Sequence, residues 1–326
     1  MPQAVSVRAP LRISLGGGGT DLPSHYRSHG GFVLSAAIDR YVRVRVSDAS
    51  GPRFRLDHLW LEEVDDPAEV EHPILRAALG RHWDGRPLDL VSVGDVAPGT
   101  GLGSSGAYTV CSIHALDLAR GHSASPIELA EAACDIELGD LGRTVGKQDQ
   151  YAAAHGGVSA MTFGQDGVVE VRRLTPGPRA RQALEERFLL FGAGAERSAA
   201  DILAAQVART LAGDTGLQRN LARTEELARQ AATALDADDP DALCGLMDEQ
   251  WALKHERLAG VPMAPVEELR DLALHAGAAG AMLVGAGGGG HLLVCAQDPE
   301  PVRAALTEAG APEVRFGLDG RGCVAE

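Results

Sequence analysis

The sequence predicts an α+β chain of 326 residues organised as two units, and three observations carry that reading. The first half is dominated by short period-two segments separated by glycine-rich turns. The second half orders strand, helices, strand, strand, helix, strand, which is a split βαβ sandwich with extra helices inserted. Between them Thr175-Pro176-Gly177-Pro178 forms a breaker cluster, so the boundaries are set at residues 1–177 and 178–326.

Val5 to Leu15 alternates apolar residues and runs straight into Gly16-Gly17-Gly18-Gly19-Thr20-Asp21, a strand ending in a glycine turn. Phe32-Val33-Leu34 and Tyr41 to Val46 read as two further strands, and Leu88 to Val93 as another. Pro98-Gly99-Thr100-Gly101-Leu102-Gly103 opens a helix near Ser104, with Val110, Ile113, His114 and Leu116 inward. Ser125-Pro126-Ile127-Glu128 starts the next helix with a capping box, and that helix runs to about Leu138. Val158 to Phe163 and Val168 to Leu174 form a hairpin around Gly164-Gln165-Asp166-Gly167. In the second unit Phe188 to Phe191, Ala281 to Val284, His291 to Cys295 and Val314 to Phe316 read as strands. A helix-rich block fills 197–276, and another helix runs from Pro301 to Ala309.

Aromatic residues are only 4 % of the chain and glycines number 40, so Ala, Leu and Val must build the core while glycine serves the turns. Asp and Glu exceed Lys and Arg by 45 to 30, a formal charge of −15 that argues against a nucleic-acid partner. No apolar run reaches the roughly 20 residues needed to span a bilayer, and Met1 to Leu15 lacks a secretory apolar region. The five cysteines are scattered without a CxxC, which indicates neither a disulfide framework nor a zinc ribbon. A cytoplasmic protein without membrane attachment is expected.

The most informative feature is Gly101-Leu102-Gly103-Ser104-Ser105-Gly106 at a helix start. Helix N-termini present unpaired N–H groups and a positive dipole end, and glycines let the backbone close on an anion. These glycines also satisfy G-x-G-x-x-G, but a dinucleotide site places that motif directly after a strand, and here Gly94 to Thr100 intervenes. Glu137 stands at the adverse end of the capped helix, where a cation such as Mg²⁺ would offset the dipole. Asp149, in Gly146-Lys147-Gln148-Asp149-Gln150, reads either as a helix cap or as a base for a substrate hydroxyl with Lys147 or Arg12 as its cationic partner. A third cluster, Gly285 to Gly290, sits between two strands and has more small residues than a hairpin needs.

These three turns resemble the signatures of the GHMP kinases, the superfamily of galactokinase, homoserine kinase, mevalonate kinase and phosphomevalonate kinase. The matching stretches are Ala9 to Asp21, Pro98 to Ala107 and Gly285 to Gly290. The resemblance implies an N-terminal half like ribosomal protein S5 domain 2 and a ferredoxin-like C-terminal half. It implies ATP and Mg²⁺ as cofactors, with Pro98, Gly99, Gly101, Leu102, Gly103, Ser104, Ser105 and Gly106 around the phosphates and Ser105 with Glu137 on the metal. Asp149 matches the aspartate that polarises or deprotonates the accepting hydroxyl. Arg12 matches the arginine that keeps it charged and steadies the transferring group, and Lys147 is placed beside them. Gly18, Gly19, Thr20, Asp21, Arg197, Gly288 and Gly289 are expected around the substrate.

Gly18-Gly19 stands where galactokinases carry a Glu-His pair, so the pocket is wider and lacks the galactose contacts. The four-glycine turn, Gly103 to Gly106 and Gly146 to Tyr151 together resemble the subgroup of D-glycero-D-manno-heptose 7-phosphate kinase, which phosphorylates the anomeric hydroxyl of a sugar phosphate. Phe191 to Ala199 matches a further stretch of that subgroup, with Ala193 in place of threonine. Arg143, Lys147, Arg197 and Lys254 are the cations considered for a substrate phosphate. His25 and His29 flank the first turn. A fucose-type sugar or a cyclitol phosphate is the alternative substrate, and a catalytically inactive ATP-binding regulator the alternative outside the class. A monomer or homodimer is expected.

Overall fold

The computed structural model describes residues 4–194, 199–287 and 290–326. Strand β1 (Val5–Gly16) leads through the first glycine turn into α1 (Pro23–His29) and β2 (Gly31–Asp48). The hairpin β3–β4 (Phe54–Asp57, Leu61–Val64), α2 (Pro73–His82) and β5 (Leu88–Gly94) follow. Helices α3 (Ser104–Ala119), α4 (Pro126–Cys134) and α5 (Gln148–His155) precede the hairpin β6–β7 (Val158–Phe163, Val169–Leu174). After α6 (Pro178–Glu186) and β8 (Phe188–Gly192) come α7 (Ala199–Leu211), α8 (Thr215–Asp236), α9 (Pro240–Gly245), α10 (Met247–Arg257) and α11 (Ala264–His275). The chain ends with β9 (Ala278–Leu283), β10 (His291–Ala296), α12 (Pro299–Glu308) and β11 (Val324–Ala325).

The larger sheet runs β11-β1-β2-β5-β3-β4, with the β6–β7 hairpin joined to β2. The two strands read around Phe32 and Tyr41 are one strand, β2. Its first part pairs with β6 and its last part with β5. Their continuity is hidden because polar Asp39-Arg40 interrupt the apolar run; the β1 register shifts between Pro10 and Leu11 there, and these two residues have no partner on β1. The sequence reading also lacks α1, α2, α6 and the β3–β4 hairpin.

Helix α3 begins at Ser104 as expected and packs on β1 and β2, with Val110, Ile113, His114 and Leu116 buried. The Ser125 capping box of α4 is present, both hydrogen bonds included. The helix itself ends at Cys134, and Asp135–Asp140 widens into a π-helical turn that carries Glu137 inward to 1 % exposure. Such widened turns recur at functional sites.

The smaller sheet, β8-β10-β9, is antiparallel. The fourth strand expected at Val314–Phe316 is reduced to a bridge between Phe191 and Glu313, closed by the Val314 N–H on the Leu190 carbonyl and the Gly192 N–H on the Pro312 carbonyl. Pro312 supplies no N–H there, and Asp39 on β2 draws the chain away by accepting the Gly317 N–H at 2.8 Å. The terminal β11 then pairs with β1 of the larger sheet. Cys244 and Cys295 form a disulfide, Cα atoms 5.8 Å apart, where the cysteine spacing indicated none. The two lie 51 residues apart on separate elements, which no local motif reveals. Helix α8 packs on β1 and β2, so one apolar core runs through both halves.

Candidate active site

The glycine turns meet around one cavity of about 330 Å³. Its walls include Gly16 to Gly19 of the first turn, Gly99, Gly101 and Gly103 of the second, and Gly285 of the third. At Gly285, φ is +78° and an added Cβ would lie 2.6 Å from the Gly101 Cα, so glycine is required for the two turns to touch. His291 Nδ1, 2.9 Å from the Thr100 carbonyl, ties the same turns from the other side. We expect Gly285→Ala to push the turns apart and, if the loop seats a phosphoryl donor as the resemblance implies, to raise KM for that donor by about tenfold or more. Steady-state kinetics checks this, with far-UV circular dichroism unchanged.

The second contact built on glycine lies at Gly106, where a Cβ would stand 2.7 Å from the Asp149 Cβ. Without one, the start of α5 packs on the start of α3, and Asp149 in the first turn of α5 faces the glycine loop. Asp149 is not the cap of its helix. Lys147 holds the N-cap position, and the capping oxygen comes from Asp21 of the first turn, whose Oδ2 accepts the Gln148 N–H at 3.1 Å. The Asp21 carboxyl has its pKa raised, by burial first and by the charge of Asp149 as a lesser cause.

Arg12 crosses from β1 and donates Nε at 2.9 Å and Nη2 at 2.6 Å to Asp149 Oδ1. Its Nη1 donates to the Gly101 carbonyl at 2.5 Å. One guanidinium thereby fixes both the carboxylate and the glycine loop. Asp149 Oδ2 has no hydrogen bond among the described residues, which leaves it open to the cavity.

Beside the loop, Ser105 Oγ donates to Glu137 Oε2 at 2.8 Å. Thr109 and Gln150 donate to the other oxygen at 3.2 and 2.9 Å, so the buried carboxylate is held from both ends. Arg143 Nη1 reaches both Ser105 Oγ, at 2.8 Å, and Glu137 Oε2, at 3.1 Å. The carboxylate and hydroxyl expected on Mg²⁺ therefore adjoin the loop with a cation already against them. This donor set fits an ion that takes one or two carboxylates and completes its shell with phosphate oxygens and water. Among the described residues no cluster of three or more His, Cys, Asp or Glu could hold a metal alone.

Other expected site residues lie elsewhere. Lys147 does not reach Asp149: its ammonium donates to Glu131 at 3.3 Å and to the Gly167 carbonyl at 3.0 Å. Thr20 is fully buried and staples the first turn, donating to the Gly17 and Phe32 carbonyls. Leu102 is core, and its carbonyl accepts the Arg12 N–H. Pro98 is exposed and off the cavity wall; buried His25 and exposed His29, whose rings pack 5.1 Å apart, are off the wall as well. Gly18, Gly19 and Asp21 do line the cavity. Arg197, Gly288 and Gly289 lie outside the described residues. The sequence reading omitted Gln206, Gln250 and Arg257 from the lining. The helical spacing of Arg257, three residues beyond Lys254, is the signal that could have found it.

The family model for the GHMP kinases N terminal domain matches residues 72–157, and that for the GHMP kinases C terminal region matches residues 231–312. Together they take in just over half of the chain. The chain is a GHMP kinase. D-glycero-alpha-D-manno-heptose 7-phosphate kinase of Campylobacter jejuni is 27 % identical to it over 307 residues, covering 89 % of this chain and 88 % of the relative. The bifunctional fucokinase/GDP-fucose pyrophosphorylase of Arabidopsis thaliana is 26 % identical over 93 % of this chain and 31 % of its own length. Among solved structures, a D-glycero-D-manno-heptose 1-phosphate kinase from Bacteroides thetaiotaomicron superposes with a TM-score of 0.81 at 23 % identity, over 99 % of this chain and 98 % of that one. Lactococcus lactis galactokinase gives 0.78 at 18 % identity, over 99 % and 95 %. This GHMP kinase thus has the two-domain mixed α/β fold of its family, and it is a phosphotransferase. No helix among its described residues is long and apolar enough to cross a membrane.

Proposed function

We propose that this GHMP kinase transfers the γ-phosphoryl group of ATP, with Mg²⁺, to the anomeric hydroxyl of a sugar phosphate such as D-glycero-D-manno-heptose 7-phosphate. The observation that carries the reading is the Arg12–Asp149 pair, which faces the cavity between the glycine loop and the first glycine turn. A relative named as a heptose 7-phosphate kinase covers most of the chain and supports the choice of sugar phosphate.

Bound Mg·ATP would supply the phosphoryl group and a divalent charge over its oxygens. The chain's own residues do the positioning, which is most of what phosphoryl transfer requires. The N–H groups at the start of α3 and the loop from Gly99 to Ser105 would hold the phosphates. Ser105 Oγ and Glu137 Oε2 would hold the metal, and Arg143, now against both, would be available to a phosphate oxygen. Asp149 Oδ2 accepts the proton of the sugar hydroxyl, while Oδ1 stays tied to Arg12. The Arg12 guanidinium also spreads positive charge beside the transferring group.

Ser105→Ala is expected to raise the magnesium concentration for half-maximal rate by about tenfold. A magnesium titration of initial rates checks this, and an unchanged midpoint would remove Ser105 from the metal. The substrate class is tested by ADP release with heptose 7-phosphate, mannose 6-phosphate, fucose, galactose and a cyclitol 7-phosphate. ADP formation with the phosphorylated sugars supports the reading. Turnover restricted to fucose would favour the free-sugar alternative that the fucokinase relative suggests.

A further inference from the structure

We propose that Lys254 and Arg257 form the seat for a phosphomonoester carried by the acceptor, away from the hydroxyl that is phosphorylated. The inference rests on the kinase reading above and assigns the residues that read the acceptor's own phosphate.

Both side chains stand on the last turn of α10, three residues apart, and both line the cavity. Neither has a carboxylate within 4 Å among the described residues. Lys254 Nζ donates to the Leu283 and Gly285 carbonyls, at 2.7 Å each. Arg257 donates to Asn220 Oδ1 at 2.7 Å and Thr224 Oγ1 at 2.6 Å, with Gly18 O at 3.4 Å. All five acceptors are neutral. The other cations on the cavity wall have acidic partners: Arg12 is on Asp149, and Arg209 is on Asp214.

Acidic residues outnumber basic ones by 45 to 30 in this chain, yet among the described residues no carboxylate lies against this pair. Two neighbouring half-buried cations without a counter-charge are costly unless a ligand brings one. Burial, with Arg257 and Arg12 close by, lowers the Lys254 ammonium to about 7, and burial lowers Arg257 to about 10. An anion between them would reverse that penalty. A Lys point charge beside an Arg fork suits a dianionic phosphomonoester better than a single carboxylate. Gly18, which accepts from Arg257, belongs to the first glycine turn, while the donor's phosphates have the α3 loop. The pair therefore addresses the acceptor.

The test needs no turnover in its first arm. Titration calorimetry without nucleotide compares D-glycero-D-manno-heptose 7-phosphate and mannose 6-phosphate with the dephosphorylated sugars and with mannuronate. We expect the phosphorylated sugars to bind about tenfold or more tighter, and Arg257→Gln to remove most of that margin. Lys254→Gln should do the same, and Arg257→Lys should restore part of it. In the kinetic arm the variants should raise KM for the phosphorylated acceptor and leave KM for ATP near wild type. Equal affinity for phosphorylated and free sugars, no binding of either phosphorylated sugar, mannuronate binding as tightly, or a rise in KM for ATP alone would each overturn the seat. The wild-type comparison stands even if a variant fails to fold. Arg257-dependent binding without phosphoryl transfer would keep the seat and reject the kinase reading. Transfer to free sugars at equal efficiency would do the reverse.

Discussion

Asp149→Asn should lower kcat by about 10² or more while the enzyme still binds Mg·ATP. The substitution keeps the size of the side chain and its contact with Arg12, but replaces the open Oδ2 with a group that cannot take a proton. Because a Cβ at position 106 would touch Asp149 and none is present, the amide can occupy the same place without disturbing α3 or α5. Stopped-assay initial rates, paired with nucleotide binding by fluorescence or calorimetry, separate the two effects. Turnover near wild type would remove Asp149 from the chemistry.

Arg12→Met should be comparably severe and should also reach the fold. Arg12 is 6 % exposed, and its fork holds Asp149 Oδ1 and the Gly101 carbonyl together. Methionine preserves the stem and removes every donor. We expect a kcat loss on the order of 10² to 10³ from the missing charge at the transition state. We also expect a stability loss of roughly 1–3 kcal/mol, because the Gly101 carbonyl and Asp149 lose their partner. Thermal melts read the second effect and single-turnover rates the first. Arg12→Lys should recover part of the stability and little of the rate, since one ammonium cannot span both acceptors.

The sequence made the three glycine turns, the start of α3 and the Ser125 cap visible because each is local chemistry. Glycines in a row, a serine three residues before a glutamate and a strand running into a turn all act within a few residues. Local sequence left Asp149 either a cap or a base, with Lys147 or Arg12 as partner, and only the family resemblance singled out Arg12, since the two lie 137 residues apart and meet through β1 and α5. Lys147 and Arg143 show the limit of such reading. Both follow Glu137 closely in sequence, yet one turns to Glu131 and the other to Ser105, and only the packing of α3, α4 and α5 decides between them. Polarity misled at β2, where Asp39-Arg40, without a partner on β1, made one strand resemble two. The disulfide and the Pro312 break in the second sheet depend on contacts between distant elements, which composition does not encode.

The most direct test of the central claim is ³¹P NMR of the protein with Mg·ATP and heptose 7-phosphate, followed in time. The account predicts a new anomeric phosphate resonance that grows in step with ADP and vanishes in Asp149→Asn. Intact ATP throughout, with no nucleotide binding in a parallel titration, would contradict it.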